Sequence, residues 1–162
     1  MSGPQLFFWL LRLLGRIYHP LEVVYISHHI RAQEVSEKEF FTKGESGGTR
    51  CSSAYQLALK ILESRCSRNN PKIYLVHLTD GDDLLSDNEV CLEILPRLLG
   101  RLNLLAYVEL TNPYYQSTTF LSFLRRLSDP RLLSLAIKDR EGVYEVLREI
   151  FRAMGRDDPW ES

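Results

Sequence analysis

Residues 72–79 have the sequence KIYLVHLT, and this stretch decides the fold class of the 162-residue chain. It follows an Asn-Asn-Pro turn at 69–71 and is almost continuously apolar, which is typical of a strand covered on both faces in a parallel sheet. The run ends in acid, at Asp80, Asp82 and Asp83. We therefore expect a central strand with polar side chains at its carboxyl end.

The segments around this strand alternate between helical and extended patterns. The predicted helices are 5–18, 36–42, 52–66, 87–100, 118–127 and 142–154. The predicted strands are 22–28, 30–35, 72–79, 103–110 and 132–138. This alternation predicts an α/β fold with an open, mostly parallel sheet and helices on both faces. We expect strand 30–35 to form an antiparallel edge and the other four strands to run parallel in one sheet.

Three local signals set the ends of helices. Ser36 followed by Glu39 is a capping-box pattern for the helix at 36–42. Ser52 or Ser53 is expected near the N-cap of the helix at 52–66. Gly100 is expected to close the helix before it.

Composition limits the classes of function. Twenty Lys and Arg balance 21 Asp and Glu, so no strong field favours nucleic acid or an anionic membrane. Three cysteines without zinc or disulfide spacing predict reduced thiols and a cytoplasmic location. The apolar run 6–14 lacks a basic segment before it and is too short to span a bilayer, so it predicts a buried helix.

Candidate ligands fall where strands of the predicted sheet end. Thr49 lies in the glycine-rich loop 43–50, and Asp80 follows the central strand. Ligands of such sheets bind outside the carboxyl ends of the strands, and a hydroxyl with a carboxylate suits Mg²⁺. The structural alternatives are a helix-entry threonine and a turn-forming aspartate before Gly81.

Histidines and tyrosines near the same edge are candidates for contact with a partner. His28 and His29 follow the first strand, and because neighbours on a strand point to opposite faces, a loop-and-core role is favoured over one shared ion. Tyr114 and Tyr115 follow a strand and either contact a partner or pack over the end of the sheet. His77 is expected to be an interior histidine with satisfied hydrogen bonds.

Two stretches resemble von Willebrand factor A domains. GESGGTRCSSAYQLAL at 44–59 resembles their GGT segment and following helix, and YLVHLTDGDD at 74–83 resembles their strand ending in T-D-G. The resemblance implies that Thr49 and Asp80 are the second and third parts of a metal-ion-dependent adhesion site, which takes Mg²⁺ in the intact domain. It also implies a Rossmann-like open sheet.

A narrower resemblance is to the bacterial YhbH/YeaH family, linked by name to sporulation and stress. LFFWLLRLLGRIY at 6–18 and EVVYISHHIRAQEVSEKEFFTKGESGGT at 22–49 carry it, and it extends to about residue 154. The site's first part, Asp-x-Ser-x-Ser after a first, central strand, has no counterpart here. The resemblance thus implies a domain at 1–154 without its first strand. Residues 155–162 are mostly polar with little to bury, and we expect them to form a frayed tail. A shortened gene or gene model is favoured over a degenerate paralogue.

Two functions from different classes follow. The first is a non-enzymatic binding module that uses an incomplete adhesion site to bind a protein partner, for which the resemblance points to a PrkA-type serine protein kinase or a SpoVR-type protein. The alternative is a Mg²⁺-dependent phosphatase-like hydrolase that uses Asp80 and Asp82, because DGDDLL at 80–85 loosely resembles the first motif of haloacid-dehalogenase-type phosphatases, in which one aspartate is the nucleophile and another the general acid. Leu84 stands where that motif expects a threonine.

Overall fold

The computed structural model describes residues 3–28, 31–43, 50–66, 71–81, 83–111, 120–157 and 160. The helices in these ranges are α1 (Gly3–Ile17), α2 (Glu37–Thr42), α3 (Cys51–Arg65), α4 (Leu85–Leu99), α5 (Phe120–Leu124) and α6 (Gly142–Ala153). The strands are β1 (Tyr25–His28), β2 (Ala32–Val35), β3 (Tyr74–Thr79), β4 (Leu104–Leu110) and β5 (Leu132–Ile137).

The core is a three-stranded parallel sheet in the order β3-β4-β5. Successive side chains of a strand point to opposite faces, and helices cover both faces here. On one face α1 and α6 enclose Leu104, Ala106 and Val108 of β4. On the other, α3, α4 and α5 enclose Leu105 and Tyr107. The prediction of a mixed α/β fold with a parallel sheet is confirmed.

The first two strands form a separate antiparallel hairpin. Tyr25 pairs with Val35, and His28 pairs with Ala32. The prediction that the first strand joins the parallel sheet is therefore wrong within the described residues. In the same ranges β3 pairs only with β4, so the expected central strand is an edge strand. The apolar side chains of β3 reflect the helices that cover the two faces of the sheet. They do not depend on how many strands lie beside β3.

Local capping accounts for where α2 begins, but not for where α3 begins. The Ser36 Oγ accepts a hydrogen bond from Glu39 N at 3.2 Å, and Ser36 N donates to Glu39 Oε2 at 3.0 Å, which confirms the capping box. Helix α3 begins one residue before the predicted range, and its N-cap residue Arg50 makes no side-chain capping bond. The predicted caps Ser52 and Ser53 lie inside its first turn.

Helix α1 packs on the sheet through one apolar stripe. Leu6, Leu10, Leu13 and Leu14 are buried against β4 and α6. Full burial of a leucine contributes roughly 1.5–3 kcal/mol, so this stripe anchors the helix. Its outer side leaves Phe8 47% exposed, so only part of the predicted buried helix is covered. None of the described helices is both long and apolar enough to cross a membrane.

Candidate functional site

The chain makes a glycine turn directly after β3, where Asp80 is exposed. Gly81 has φ of +78°, and its N–H donates to Thr79 Oγ1 at 3.1 Å. The carboxylate of Glu109, at the end of β4, lies against this turn, so a Cβ on Gly81 would sit 2.7 Å from Glu109 Cδ. Glu109 is only 3% exposed and accepts a hydrogen bond from the Tyr107 hydroxyl at 3.0 Å. Two features of the turn therefore require glycine at position 81: the positive φ and the lack of space for a Cβ beside Glu109.

Two aspartates after β3 supply the N-terminal caps that α3 lacks. Asp83 Oδ1 accepts from Cys51 N at 3.2 Å, and Asp87 Oδ2 accepts from Ser52 N at 2.9 Å. Asp87 Oδ1 also accepts a short bond from the Ser52 hydroxyl. Carboxylates at a helix N-terminus are stabilised by its free N–H groups and its dipole. The acidic segment and the start of α3 are therefore held together.

Burial shifts the pKa of one residue of this segment, Asp83. It raises the pKa of Asp83, against the opposing hydrogen bonds from Cys51, and the charges of Asp87 and Asp80 raise it further. One carboxylate atom, Asp83 Oδ2, is buried without a hydrogen-bond partner among the described residues. Asp83 consequently holds its negative charge less readily than an aspartate in water.

Asp83, Asp87 and Cys91 also bring one potential metal ligand each to within 4.8 Å of one another. The Cys91 thiol donates to Asp87 Oδ2 at 3.7 Å, and burial raises its pKa. Both Asp87 oxygens already accept from Ser52, and metal binding to the thiol requires its deprotonation. Helix capping accounts for this group.

His77, in the middle of β3, is the centre of a buried polar network. Its Nδ1 lies 3.0 Å from the Tyr55 hydroxyl, and its Nε2 lies 3.2 Å from His28 Nε2 and 3.8 Å from Cys51 Sγ. The ring packs edge-on against Tyr107. Burial, with a smaller effect of His28, lowers the pKa of His77 to about 3. The expected interior histidine is confirmed.

The contact between Cys51 and His77 is not arranged for nucleophilic catalysis. A reactive cysteine needs a thiolate, usually stabilised by an imidazolium. Here burial first, and the nearby Asp83 second, raise the pKa of Cys51 far above its usual range, while the pKa of His77 is depressed. Both groups are neutral near pH 7, so the network is a structural one.

The predicted site residues are only partly within the described ranges. Thr49, His29, Tyr114, Tyr115 and Asp82 lie outside them. Asp80 lies at the carboxyl end of β3, where the sequence predicts it, and His28 contacts His77 in the core.

Five residues that shape the site were not predicted from the sequence: Cys51, Tyr55, Asp83, Asp87 and Glu109. For Asp83 the sequence offered one signal, its place in the acidic run after the predicted strand 72–79.

The sequence model of a protein family described as "Protein of unknown function (DUF444)" matches residues 4–154 of the chain. The chain belongs to the DUF444 family. Its relatives include UPF0229 proteins of Shouchella clausii, 40% identical over 153 residues, and of Halalkalibacterium halodurans, 38% identical over 146. A UPF0229 protein of Bacillus cereus is 36% identical over 146 residues.

The alignments cover 94%, 90% and 90% of this DUF444 chain and 39%, 37% and 37% of the three relatives, respectively. The chain thus spans about two fifths of the length of the curated relatives it matches. No solved structure matches it.

Proposed function

We propose that this DUF444 chain is the larger part of a von Willebrand factor A-like binding module of the YhbH/YeaH type. In the complete domain Thr49 and Asp80 bind Mg²⁺ together with an Asp-x-Ser-x-Ser loop from a further strand. The cation then takes a carboxylate of a protein partner as its remaining ligand. The module binds and regulates, and catalyses no reaction.

One contact carries the proposal. The backbone N–H of Cys51 donates to the Asp83 carboxylate at 3.2 Å. Cys51 follows Thr49 by two residues, and Asp83 follows Asp80 by three. Adjacent Cα atoms are 3.8 Å apart, so this bond keeps the end of the glycine-rich loop near the end of β3. We expect the Cα atoms of Thr49 and Asp80 to lie within roughly 10 Å, close enough to share an ion or its waters.

The donor chemistry fits Mg²⁺, because a hydroxyl and a carboxylate are hard oxygen ligands. Asp80 is exposed, so an ion can reach it. The carboxyl oxygens of Glu109 lie against the turn at Gly81, and Asp83 N donates to Gly81 O at 2.9 Å, so two further oxygen-bearing side chains lie near the ends of β3 and β4 at this end of the sheet. Two ligands alone bind weakly, so strong binding requires the complete domain.

The apolar surface beside Asp80 suits a protein partner. Leu84 and Leu85, at the start of α4, are 50% and 64% exposed. Apolar side chains next to a cation give a partner's carboxylate both a charged and an apolar contact. The proposed partner is cytoplasmic, in keeping with three free cysteines, and is a PrkA-type serine protein kinase or a SpoVR-type protein.

The test compares two aspartate variants in the full-length protein. Asp80→Ala is expected to weaken binding of Mn²⁺, a spectroscopic substitute for Mg²⁺, at least tenfold and to abolish Mg²⁺-dependent capture of the purified kinase or SpoVR-type protein. The matched control, Asp157→Ala, alters an exposed aspartate in the C-terminal tail and should change neither. Equal Mn²⁺ affinity of Asp80→Ala and the wild type would contradict the proposal.

A further inference from the structure

A second polar cluster lies at the end of β3 opposite to Asp80. It consists of Tyr18, directly after α1, Tyr74, the first residue of β3, and Arg156, after α6. The hydroxyl oxygens of Tyr18 and Tyr74 lie 3.4 Å apart, and Arg156 Nε donates to the Tyr18 hydroxyl at 3.4 Å. A strand rises about 3.3 Å per residue, so the six residues of β3 separate this tyrosine–arginine cluster from Asp80 by roughly 20 Å.

Backbone hydrogen bonds fix the position of each member of the cluster. Tyr18 N donates to a carbonyl oxygen in the last turn of α1 at 2.9 Å, and Tyr74 is paired in the parallel ladder with β4. Gly155 turns the chain after α6 with φ of +75°, and the N–H groups of Gly155 and Arg156 donate to carbonyl oxygens in the last turn of α6 at 2.9 Å. The Arg156 guanidinium lies over the Tyr18 ring, 5.1 Å from its centroid.

The chain beyond Arg156 is held by the same two helices. The Trp160 ring packs edge-on against Trp9 of α1, with ring centroids 5.8 Å apart, and against Tyr144 of α6, with centroids 5.4 Å apart. Aromatic pairs with this geometry attract each other beyond the burial of their surface. Arg156 thus lies between two anchored positions of the chain, which limits the movement of its backbone.

The cluster has an excess of positive charge. Arg152, one turn before Arg156, is paired with Glu149 at 2.9 Å, whereas Arg156 has the Tyr18 hydroxyl and no carboxylate as side-chain partner among the described residues. Burial acts to raise the pKa of Tyr18, but its two hydrogen bonds and the charges of Arg156 and Lys72 lower it below its ordinary value. The surroundings of Tyr18 therefore favour negative charge.

The hydrogen bonds within the cluster are weak, so its donors are available to a stronger acceptor. Bonds of the O–H···O and N–H···O types are usually about 2.7–3.0 Å long, and both contacts here are 3.4 Å. Burial and the neighbouring Tyr18 raise the pKa of Tyr74 to about 12, so the Tyr74 hydroxyl keeps its proton and can donate it. Within the described residues, Arg156 donates only through Nε, and its terminal N–H groups are further donors.

We propose that the tyrosine–arginine cluster binds a phosphate group. The guanidinium of Arg156 and the hydroxyls of Tyr18 and Tyr74 donate to the phosphate oxygens, and exposed Lys72 adds a second positive charge. A phosphate group suits donors from three elements because it is tetrahedral and carries about −1.5 to −2 charge near pH 7. Arg156 lies beyond the matched residues 4–154, so the proposal concerns this chain, and it does not require a cation at Asp80.

The test is titration of the 162-residue chain with inorganic phosphate, at an ionic strength held constant with chloride. We expect saturable changes in the NMR shifts of the Tyr18 and Tyr74 amides. Arg156→Gln, which removes the charge, and Tyr18→Phe, which removes only the hydroxyl, should each weaken phosphate binding about tenfold or more, because each variant loses a hydrogen bond to a charged group.

The chain offers a matched control for each variant. Arg152→Gln makes the same change of charge at an exposed arginine one turn away, and Tyr144→Phe removes the hydroxyl of an exposed tyrosine on α6. Both controls should bind phosphate as the wild type does. Acetate, which presents a planar carboxylate with a single charge, should bind more weakly than phosphate.

Three results would overturn the proposal. They are shifts that do not saturate with phosphate, an equal loss of affinity in Arg156→Gln and Arg152→Gln, and acetate binding as tight as phosphate binding. Thermal unfolding without phosphate shows whether each variant is folded. If Arg156→Gln does not fold, the comparison of Tyr18→Phe with Tyr144→Phe decides, and equal phosphate affinity of these two variants would refute the site.

Discussion

Replacing Gly81 by alanine tests the turn that positions Asp80. Alanine at φ of +78° costs roughly 1–2 kcal/mol, because a left-handed conformation brings Cβ close to the following carbonyl. The new Cβ would also lie 2.7 Å from Glu109 Cδ, and overpacking of a buried site costs typically about 1–3 kcal/mol. Glu109 cannot move aside easily, since it is 3% exposed and bonded to Tyr107. The free energy of unfolding should therefore fall by about 2–5 kcal/mol.

Two further variants separate the backbone effect from the steric one. Gly155 has φ of +75° and nothing within 4 Å of a Cβ, so Gly155→Ala should lose only about 1–2 kcal/mol. Adding Glu109→Ala to Gly81→Ala should recover the steric part, seen as a coupling energy in a double-mutant cycle. Urea denaturation followed by circular dichroism and tryptophan fluorescence measures each value. If Gly81→Ala loses no more than Gly155→Ala, the close packing of Glu109 on the turn is refuted.

Three other variants test the network and the caps. For His77, burial lowers the folded pKa to about 3 from 6.5, so the unfolded chain binds a proton first and stability is lost as the pH falls below about 6.5. The free energy of unfolding of the wild type should exceed that of His77→Gln by about 2 kcal/mol less at pH 5 than at pH 7. A difference that does not change with pH would show that His77 is not buried as a neutral ring. Asp87→Asn should lower the free energy of unfolding by about 1.5–3 kcal/mol, because the amide group cannot accept from both Ser52 donors. The control Glu89→Gln, on the exposed side of α4, should change the free energy of unfolding by less than about 0.5 kcal/mol. Ser36→Ala should reduce the protection of α2 amides from exchange by about 1 kcal/mol and leave β4 unaffected, and equal losses in both elements would argue against a local cap.

Patterns that depend on neighbouring residues in the chain were predictable from the sequence. The capping box of Ser36 and Glu39 needs only a spacing of three, and the structure shows both of its hydrogen bonds. Strand 72–79 was identified by its apolar run, and six of its eight residues form β3. The position of Asp80 at the carboxyl end followed directly from that strand.

Relations between distant segments were not predictable in the same way. The sequence around Ser52 and Ser53 suggests a cap within α3, yet the caps come from Asp83 and Asp87, more than thirty residues away. The position of β3 at the edge of the described parallel sheet could not be predicted either. An apolar run shows that both faces of a strand are covered, but it does not show which strands lie beside it. In the sequence Glu109 is an ordinary strand residue, and only the structure shows that its carboxyl group packs against Gly81.

Helix α3 is hydrogen-bonded at its N-terminus to the segment after β3 and near its C-terminus to the hairpin of β1 and β2. Its N-terminus is bonded to the acidic segment after β3, and near its C-terminus Arg65 makes two bonds of 2.7 Å to Glu34 in the hairpin. A helix of 15 residues is about 22 Å long and stiff along its axis. The segment that follows Asp80 and the hairpin are therefore linked through one helix, although they are far apart in the sequence and belong to different sheets.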